Sequence, residues 1–533
     1  MAQADEAAPA IDAAPGQTQL TPRQILTAMS GLMIAMLLAQ LDNMIVAPAL
    51  PTIVGDLGGL NHLSWVVTAY ILASTVSTPI WGKLGDLFGH KLTFMTSIAI
   101  FLVGSALCGV SQDMSQLILF RAFQGVGAGG LIVGIMSVIG MLLSPRERGK
   151  YIGVMMAVMP AAMIAGPLIG GFITDHASWR WAFYVNIPLG IISLFVIWST
   201  LHLTHEQRSD EKVTVDWAGA TVLTAWVTAL ILAITWGGNQ YDWGSWQIVG
   251  LEVITLVGLG IFLLVERRAT HPIIGLHLFR IRNFSLATAM GFVAGFAMFG
   301  AITFLPQFQQ FVQGQSATSS GLLLMPMMLS AVVFSIGGGQ VISRTGHYKA
   351  FPIVGTALLG IGLALFSTMG LDTPIGVTAL YMVVLGAGMG CLMQTTNLIA
   401  QNSVQLRDLG SATGTSTFVR NLGGSLGVAA LGAIYAHHVT TALTDAGVPG
   451  MTTQSTTSLT PAALQALPAS VQAVFQTAVA DGTQAIFFWS ALVTILGFAA
   501  AWFIQQVPLR TSNVPVKSEE PIEVAEAIEG MSV

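Results

Sequence analysis

Residues Ser115–Ile139 read SQLILFRAFQGVGAGGLIVGIMSVI, an apolar run whose one charged residue is Arg121. A helix rises about 1.5 Å per residue, so a run of this length crosses the roughly 30 Å hydrocarbon core of a bilayer. An arginine is costly at that depth and usually has a function there. The stretch therefore predicts a membrane-spanning helix that carries a functional arginine.

Thirteen further apolar runs are long enough to cross a bilayer as helices. The chain is 53% hydrophobic and 8% charged, whereas soluble domains carry about 25% charged residues. Its surface must therefore face lipid, and the sequence predicts an all-α integral membrane protein with fourteen spans. The other spans are placed at Ile25–Leu50, Leu63–Trp81, Leu92–Val110, Tyr151–Ile173, Trp181–Leu203, Val215–Trp236, Trp246–Val265, Phe284–Pro306, Gly321–Val341, Phe351–Met369, Ile375–Ile399, Leu409–Ile434 and Ala485–Ile504.

The basic residues predict the orientation, because Lys and Arg concentrate in cytoplasmic loops. With the amino terminus placed in the cytoplasm, nearly all of the 20 Lys and Arg fall on the cytoplasmic side. Both termini are then cytoplasmic, and we expect a bacterial-type inner (plasma) membrane. The cytoplasmic set includes Lys83, Lys91, Arg146, Arg148, Lys150, Arg267, Arg268, Arg280, Arg282, Arg344 and Lys349.

The order of spans predicts two six-helix bundles with a pair of extra spans between them. Residues 1–20 are rich in Ala and Pro and lack a cationic region, so we expect a disordered tail and not a signal peptide. The predicted divisions are a cytoplasmic tail at 1–24, a first bundle at 25–203, a linker with the two extra spans at 204–283, a second bundle at 284–506 with an outer loop at 437–482, and an acidic tail at 507–533.

The two bundles resemble each other at a shift of 257 residues. The pattern Gly-x3-Asp-x2-Gly-His at Gly82–His90 matches Gly-x3-Ser-x2-Gly-His at Gly339–His347. Glycines of the fourth, fifth, twelfth and thirteenth spans also match. Secondary transporters are commonly built from such repeats, with the binding site between them. At the shift of 257, Gly153, Gly166 and Gly170 match Gly410, Gly423 and Gly427. Near the fourth span the shift becomes 261, which matches Gly125, Gly127 and Gly129 with Gly386, Gly388 and Gly390.

Five segments in order carry a family resemblance across nearly the whole chain. They are LDNMIVAPALP (Leu41–Pro51), GKLGDLFGHK (Gly82–Lys91), RAFQGVGAGG (Arg121–Gly130), Gly153 with GPLIGG (Gly166–Gly171), and WRWAFYVNIPLG (Trp179–Gly190). In these segments the chain resembles the fourteen-span drug:proton antiporters of the major facilitator superfamily. The resemblance implies a proton-coupled antiporter that exports hydrophobic drugs, dyes or an antibiotic by alternating access.

Other functions stay open at this point. The substrate of an exporter could equally be a lipid, a siderophore or another metabolite, and proton symport is a further alternative. A membrane sensor that moves nothing is a reading of a different class, which the lack of an output domain disfavours. The resemblance gives the expected partners as a small molecule, protons and membrane lipid, and it implies a monomer.

Motifs of enzymes and metal sites are absent from the sequence. It has no Walker motif, HExxH, CxxC pair or Ser/His/Asp constellation, so we predict no enzyme activity, no cofactor and no metal. Cys108 and Cys391 each stand alone in an apolar run and are predicted to be reduced and packed. A net charge of −5 gives no reason to expect nucleic acid.

Asp42 and Arg121 are the strongest functional candidates. Asp42 lies about 12 Å from the outer end of span one and Arg121 about 9 Å from that of span four, at 1.5 Å per residue. They should therefore meet at one depth. In the family that the chain resembles, spans one and four line the central cavity, so we predict that this pair couples protons to transport. A fixed ion pair that holds the bundle is the alternative.

Two further ionisable residues lie at membrane depth. Glu252 in span eight either anchors neighbouring helices or faces interfacial water, and we interpret it as structural while leaving a function open. Arg420 lies near the middle of span thirteen among Gly and Ser. It either binds an anionic substrate or hydrogen-bonds carbonyl groups between the halves, and the sequence favours neither.

The segment after span two is predicted to hold one conformation closed. An acid near a helix N-terminus is stabilised by the helix dipole, and we expect a nearby arginine as well. Gly82, Asp86 and Gly89 are the candidates for this latch. A purely topological role for the two lysines of the segment is the alternative.

Span five carries small residues that allow a close helix approach and a kink. We predict that they seal the closed face between the halves, with tight packing alone as the alternative. They are Gly166, Pro167, Gly170 and Gly171. Tyr70, Gln394 and Asn397 are candidates for substrate contact, and ordinary packing is again the alternative.

Overall fold

The computed structural model of this chain describes residues 22–57, 63–201, 214–238, 240–445, 464 and 468–509. Within these ranges the chain is helical and has no β-strand. The predicted disordered tails fall almost wholly outside the described residues, as do 204–213 of the linker and most of 446–467.

The described helices divide into two halves and a pair that is inserted between them in the sequence. In the first half they are α1 Pro22–Leu57, α2 Leu63–Phe88, α3 His90–Gly109, α4 Met114–Leu142, α5 Pro145–Met156, α6 Val158–His176, α7 Trp181–Tyr184 and α8 Asn186–Thr200. The inserted pair is α9 Trp217–Trp236 and α10 Trp246–Arg268. The second half has α11 Arg282–Phe311, α12 Ala317–Leu322, α13 Met325–Thr345, α14 Ala350–Phe366, α15 Ile375–Asn402, α16 Leu409–Asp445 and α17 Ala469–Trp502.

Short polar side chains cap several of these helices where the apolar runs begin. Asp113 accepts a hydrogen bond from the backbone N–H of Gln116 at 2.8 Å and so caps α4. Asp216 caps α9 and Ser245 caps α10 in the same way. The first N–H groups of a helix have no partner within it, so such caps determine where it starts.

Twelve helical segments are long and apolar enough to cross a membrane. The predicted fourteen spans also need α2 and α14. Helix α14 is apolar but has only 17 residues. Helix α2 is less apolar because it contains several hydroxyl residues and two charged ones. Ser77 Oγ donates to Val126 O of α4, and Thr78 Oγ1 donates to Ser74 O within α2.

The same helix pairings occur in both halves. In the first half α1 packs against α6 and α8, and α4 packs against α2 and α3. In the second half α11 packs against α16 and α17, and α15 packs against α13 and α14. The halves meet where α2 lies along α16 and where α5 lies along α13, which we call the α2–α16 seam and the α5–α13 seam. The repeat relates the two seams to each other, because α2 corresponds to α13 and the span formed by α5 and α6 corresponds to α16.

Glycines matched by the repeat occupy equivalent contacts. Gly166 of α6 lies against Met44 of α1, as Gly423 of α16 lies against Phe292 of α11. The internal repeat is thereby confirmed at the level of single contacts. The other pairs behave alike: Gly170 faces α1 and Gly427 faces α11, Gly125 and Gly129 face α2 where Gly386 and Gly390 face α13, Gly127 faces α3 where Gly388 faces α14, and Gly153 faces α13 where Gly410 faces α2.

Each half has its own hydrophobic core. The largest cluster of buried apolar residues lies wholly between Leu278 and Leu509, and the next lies between Ala28 and Leu201. One partly buried residue of the first half, Met163 on α6, packs against the second-half cluster. Separate cores allow the halves to move as two bodies along their seams.

The inserted helices α9 and α10 pack on each other and cover the α2–α16 seam from outside. Trp226 of α9 stands edge-on to Phe418 of α16, with ring centroids 6.3 Å apart, and belongs to the same cluster as Val76 of α2. Helices α9 and α10 thus lie against a helix of each half.

The predicted outer loop at 437–482 is helical at both of its described ends. Helix α16 continues to Asp445, and the last helix, α17, already begins at Ala469. The two extensions share a buried cluster that includes Val439, Leu443 and Phe475. Alanine-rich sequence favours continued helix, and this apolar contact stabilises it beyond the predicted spans.

Candidate functional site

Asp42 on α1 and Arg121 on α4 form a buried ion pair. The Nη1 of Arg121 lies 2.6 Å from Oδ2 of Asp42, and the two side chains are 1% and 0% exposed. The prediction that they share a depth is confirmed by this contact. Antiparallel helices bring the two groups together because each stands a similar distance from the same end of the bundle.

The second oxygen of Asp42 has its own donors. Gln124 Nε2 on α4 and Asn186 Nδ2 on α8 each donate to Oδ1 at 2.8 Å. Asn186 Nδ2 also lies 2.9 Å from Ser105 Oγ, which itself donates to a backbone carbonyl. Three donors thus surround a group that, when ionised, only accepts hydrogen bonds. The carboxylate joins α1, α4 and α8.

The rest of the Arg121 guanidinium is also occupied. Its Nε donates to the carbonyl of Val66 at 3.3 Å, and its Nη1 donates to Gln124 Oε1 at 2.8 Å. The Cζ lies 4.1 Å from the centroid of the Tyr70 ring, a cation–π distance. Tyr70, predicted as a substrate contact, is 3% exposed and covers the ion pair in this conformation.

Sequence reasoning missed Gln124 and Asn186. Both lie inside quoted motifs, RAFQGVGAGG and WRWAFYVNIPLG, and both are polar residues in otherwise apolar runs. That combination was the available signal. Amide side chains occur in membrane spans for many reasons, and only the fold shows that these two bind the same carboxylate.

The α2–α16 seam brings two glycines into direct backbone contact. A Cβ on Gly82 would collide with the carbonyl oxygen of Gly410, and a Cβ on Gly410 would collide with that of Gly82. Gly414 faces Pro79 one turn further along. The glycines therefore let the two halves close to backbone distance at this end of the seam.

Asp86 bridges the halves at the same end of the seam. Its Oδ1 accepts from the N–H of Gly410 at 2.6 Å and its Oδ2 from the N–H of Ser411 at 2.7 Å. These are first-turn donors of α16, which lack partners within the helix and carry the positive end of its dipole. The predicted approach of Asp86 to a helix N-terminus is confirmed.

The charged neighbours of Asp86 differ from the prediction. Among the described residues they are His90, whose Nε2 lies 3.5 Å from Oδ1, and Lys83, whose charge lowers the pKa, in place of an arginine. Burial raises the pKa of this carboxyl to about 7, against the lowering effect of the N–H donors of α16. Asp86 lies beyond Trp81, the predicted end of the second span.

Gly89 makes the sharp turn between α2 and α3. Its φ is 91°, in the region that favours glycine, and its repeat partner Gly346 has a φ of 71° at the end of α13. The matched glycines thus fill the same conformational role in both halves. We attribute a structural role in the latch to Gly89, since it positions Asp86 without touching α16.

The small residues of span five are not at the boundary between the halves. Gly166 and Gly170 lie against Met44 and Ile45 of α1, within the first half, and Gly171 has nothing within 4 Å of an added Cβ. Pro167 lies inside α6. The predicted seal between the halves is replaced by close packing of α6 on α1. Span five meets the other half through Gly153, which faces Ile336 of α13.

Arg148 forms a second bridge between the halves that sequence reasoning did not single out. It is 1% exposed, and its Nη1 donates to Gln401 Oε1 on α15 at 3.1 Å. Its Nε donates to Leu143 O at 2.9 Å, and Nη2 donates to Gly140 O. Gln401 Nε2 in turn donates to Thr413 Oγ1 at 3.1 Å. A fully buried arginine with partners in both halves stabilises the closed seams.

Gln394 and Asn397, predicted as substrate contacts, are buried on α15. Ser335 of α13 donates to Gln394 Oε1 at 3.1 Å, and Asn397 Nδ2 donates to the carbonyl of Met393 at 3.0 Å. In this conformation both amides are engaged within the second half.

Arg420 contrasts with the other buried arginines. Among the described residues it has no hydrogen bond, ion pair or aromatic partner. It is half-buried at the middle of α16, with its backbone against Gly295 and its Cβ near Gly291 of α11. The predicted alternative of hydrogen bonds to carbonyls between the halves is not seen.

The two acids of α10 have opposite surroundings. Glu252, the predicted membrane acid, is exposed on the outside of the inserted pair. Glu266, which sequence reasoning passed over, is 3% exposed, and its Oε1 accepts from the N–H groups of Ile273 and Ile274 at 3.2 and 3.3 Å. Glu266 thus holds the turn that follows α10.

At the other end of the first half, the WRW segment binds the end of α1. Trp179 Nε1 and Arg180 Nη1 donate to Oδ2 of Asp56 at 2.9 and 3.0 Å. The hydrogen bond from Trp179, followed by that from Arg180, lowers the pKa of Asp56. This contact joins α1 to α7 at the side opposite Asp86.

Within the described residues no group of three or more His, Cys, Asp or Glu side chains could hold a metal ion. Cys108 and Cys391 are both free and buried, as predicted.

Duplicated bundles that meet along two seams, with a charge pair inside one bundle, are the plan of a secondary transporter. Residues 32–428 match the family described as Major Facilitator Superfamily. The chain belongs to this superfamily, and it is a transporter of small molecules and not an enzyme.

Relatives extend the match along the chain. An uncharacterized MFS-type transporter of Mycobacterium tuberculosis is 41% identical over 484 residues, which cover 90% of this chain and 69% of the relative. The multidrug transporter protein MdtP of Bacillus subtilis is 36% identical over 94% of this chain and 97% of its own length. Multidrug resistance protein 3 of the same organism is 38% identical over 78% and 80%.

A solved structure supports the fold alone. The human organic anion transporter MFSD10 (TETRAN) superposes with a TM-score of 0.63 at 13% sequence identity. The match covers 90% of this chain and 100% of that one.

Proposed function

We propose that this chain is a proton-coupled antiporter that exports hydrophobic small molecules by alternating access. The observation that carries the proposal is the Asp42–Arg121 pair, buried in the first half with Gln124 and Asn186 around it. The described helices of the second half that correspond to α1 and α4 contain no Asp or Glu. Proton coupling is therefore assigned to one half.

The proton acts by changing the links of Asp42. In the conformation described, the carboxylate attracts Arg121 and accepts hydrogen bonds from α4 and α8. A proton on Asp42 removes its charge and replaces an acceptor by a donor, so the attraction to Arg121 is lost and one amide donor must turn away. Helix α1 is then free to move relative to α4, and release of the proton restores the links.

The seams provide the alternating access. The bridges made by Asp86 and Arg148 lie at one end of the bundle, on the side where the basic residues predict the cytoplasm. We infer that this conformation is closed toward the cytoplasm. Opening requires that the halves part at these bridges and close at the opposite end.

The remaining features of the proposal follow from the sequence. Helices α2 and α14 complete the twelve apolar segments to fourteen spans, with both termini in the cytoplasm of a bacterial plasma membrane. The two cores and both seams belong to one chain, which supports a monomer. The names of the Bacillus subtilis relatives support drugs and similar hydrophobic compounds as substrates.

The proposal is tested with Asp42→Asn in proteoliposomes. Asparagine keeps the shape of aspartate but neither binds nor releases the transported proton. We expect the rate of export driven by a pH gradient to fall at least about tenfold. This corresponds to an activation free energy of transport that is higher by more than about 1.4 kcal/mol. Because Arg121 loses its partner, the melting temperature in detergent is measured in parallel to establish that the variant is folded.

Glu252→Gln is the matched control. It removes another carboxylate at membrane depth, but one that is exposed on α10 and far from Arg121. It should transport like the parent. Full pH-driven export by Asp42→Asn would remove Asp42 from the coupling step, and loss of export in Glu252→Gln would transfer that role to the inserted pair.

A further inference from the structure

Arg420 is a charged side chain without a counter-charge. Among the described residues it has no hydrogen-bond or ion-pair partner, whereas Arg121 and Arg148 are fully engaged. Charged groups inside a membrane protein are normally paired. An unpaired arginine at the middle of a span is therefore a position from which a partner is missing.

The repeat indicates where Arg420 faces. The shift of 257 residues that matches Gly166 with Gly423 places Met163 of α6 at the position of Arg420. Met163 is the first-half residue that packs across onto the second-half core. The equivalent position on α16 therefore faces the first half, and Arg420 is directed into the space between the halves and not toward lipid.

Arg420 also stands where the α2–α16 seam ends. The seam runs from Gly82 and Gly410 to the cluster that includes Val76, Phe418 and partly buried Leu422. Beyond this level α16 continues against α11 and α17 of its own half. Arg420 thus lies on α16 between Phe418 and Leu422, at the level of the cluster that joins α2 to α16.

No acid of the second half can neutralise this charge. Helices α11, α13, α14 and α15 contain no Asp or Glu, and in α16 and α17 the acids are Asp445 and Asp481, far along their helices from Arg420. Asp42 is already bound by Arg121, Gln124 and Asn186. Among the described helices of the second half, none therefore offers Arg420 a nearby counter-charge.

The side chain of Arg420 retains accessible surface although its backbone packs closely on the neighbouring helix. An added Cβ at Gly295 of α11 would collide with the carbonyl of Arg420, and one at Gly291 would lie 4.0 Å from its Cβ. Arginine presents a planar set of donors that fits the two oxygens of a carboxylate or sulfonate. The apolar and aromatic residues of the halves suit the hydrophobic remainder of such a molecule.

We propose that Arg420 binds the acidic group of the exported molecule, so that the preferred substrates are amphiphilic organic anions such as aryl or alkyl carboxylates. The inference rests on the proposed function, export of hydrophobic small molecules, and specifies their charge. It requires only that substrate enters between the halves, and it does not depend on which residue couples protons.

A matched pair of fluorescent ligands tests the charge preference. 1-Pyrenebutyrate and 1-pyrenebutyramide have the same ring system and chain, and they differ in charge. Binding to the purified full-length protein is measured by energy transfer from tryptophan to pyrene. We expect the carboxylate to bind at least about tenfold more tightly than the amide, since hydrogen bonds to a charged group contribute about 1.5–3 kcal/mol and each 1.4 kcal/mol is tenfold.

The variants assign that preference to Arg420. Arg420→Gln should weaken binding of the carboxylate by about ten- to a hundredfold and leave the amide unchanged. Arg420→Lys keeps the charge without the planar donors and should fall between. Arg407→Gln is the control, because it removes a charge just before α16 at a side chain that is 77% exposed.

The outcomes are distinct. A wild-type protein without preference for the carboxylate overturns the proposal, and so does a preference that survives in Arg420→Gln while the variant melts like the parent. Because equilibrium binding needs no gradient, this result is independent of the Asp42→Asn assay. Failure of proton coupling and failure of anion recognition are therefore told apart.

Discussion

Protonation of the Asp86 carboxyl is coupled to closure of the transporter, because this group lies at the contact between the two halves. Its two oxygens bind the first N–H groups of α16 only while the halves touch at this end. In that state burial raises its pKa to about 7, and His90 and Lys83 are its ionisable neighbours. When the halves part, water solvates the carboxyl and its pKa returns toward 3.8.

Asp86 alone favours the closed form as the pH falls, because a group whose pKa is higher in one state binds its proton more tightly there, and this gain accrues from about pH 7 down to about pH 4. His90 acts in the opposite sense: burial lowers its pKa from 6.5 to about 4, so its protonation favours the open form from about pH 6.5 down to about pH 4. The two contributions oppose each other below about pH 6.5, and closure by falling pH is confined to the window just below about pH 7. Each pH unit in this window changes the ratio of closed to open protein by at most about tenfold. Spin labels at exposed Leu92 and Arg407, one in each half, report the distance between the halves.

Asp86→Asn is the variant for that measurement. Asparagine cannot titrate, so the variant should keep only the contribution of His90, and its distance distribution should shift to the open form as the pH falls from about 6.5 to about 4. If the variant keeps the pH midpoint of the parent, another group carries the dependence. The native cysteines are both buried and are replaced before labelling.

At the level of single residues, the sequence identified the functional charged residues more reliably than the side chains that bind them. Asp42, Arg121 and Asp86 are recognisable because an ionisable group near or inside an apolar run is unusual. Gln124 and Asn186 carry no charge, and their role depends on the rotation of α4 and α8 within the bundle. Arg148 looked like an ordinary loop cation, because its burial arises from contact with the other half.

Among the helices, α2 and α16 depend on glycine for their approach. The backbones of Gly82 and Gly410 touch, which no residue with a Cβ permits without a shift of one helix. Closure of this seam is therefore sensitive to a single methyl group.

Gly82→Ala should favour the open seam. An overpacked contact costs about 1–3 kcal/mol, so the ratio of closed to open protein should fall by about five- to 150-fold. The same spin labels at Leu92 and Arg407 measure this as a shift to longer distances. The expected effect arises from the contact between the two helices, because Gly82 has no side chain whose interactions could be removed.

Gly171→Ala is the control for helix propensity. Both substitutions replace a glycine within a helix and gain similar helical stability, but an added Cβ at Gly171 has nothing within 4 Å. It should leave the distance distribution unchanged. Equal effects of the two variants would mean that propensity, and not the backbone contact, causes the shift.

Helix ends were harder to predict than helices. The runs of apolar residues predicted the existence and order of the spans, but α16 and α17 extend well beyond them. Hydropathy indicates where lipid stops and does not indicate where a helix stops. The extensions are stabilised by Val439, Leu443 and Phe475 packing on each other, a contact between distant parts of the chain.

For the molecule as a whole, the orientation remains a prediction with a direct test. Single cysteines at Arg407 and Asp445 flank the same helix, α16, at its two ends. In intact cells an impermeant maleimide should label Asp445→Cys and spare Arg407→Cys. Labelling of Arg407→Cys alone would reverse the topology, and disruption of the cells, which should make both sites reactive, is the control.

The inserted pair makes a duplicated molecule one-sided. Helices α9 and α10 cover the α2–α16 seam, while on the α5–α13 seam the described residues Val154, Leu329 and Val333 are exposed and no described helix lies over them. When the halves part, a compound dissolved among the acyl chains would therefore reach the α5–α13 seam without passing the inserted pair, whereas α9 and α10 obstruct it at the α2–α16 seam.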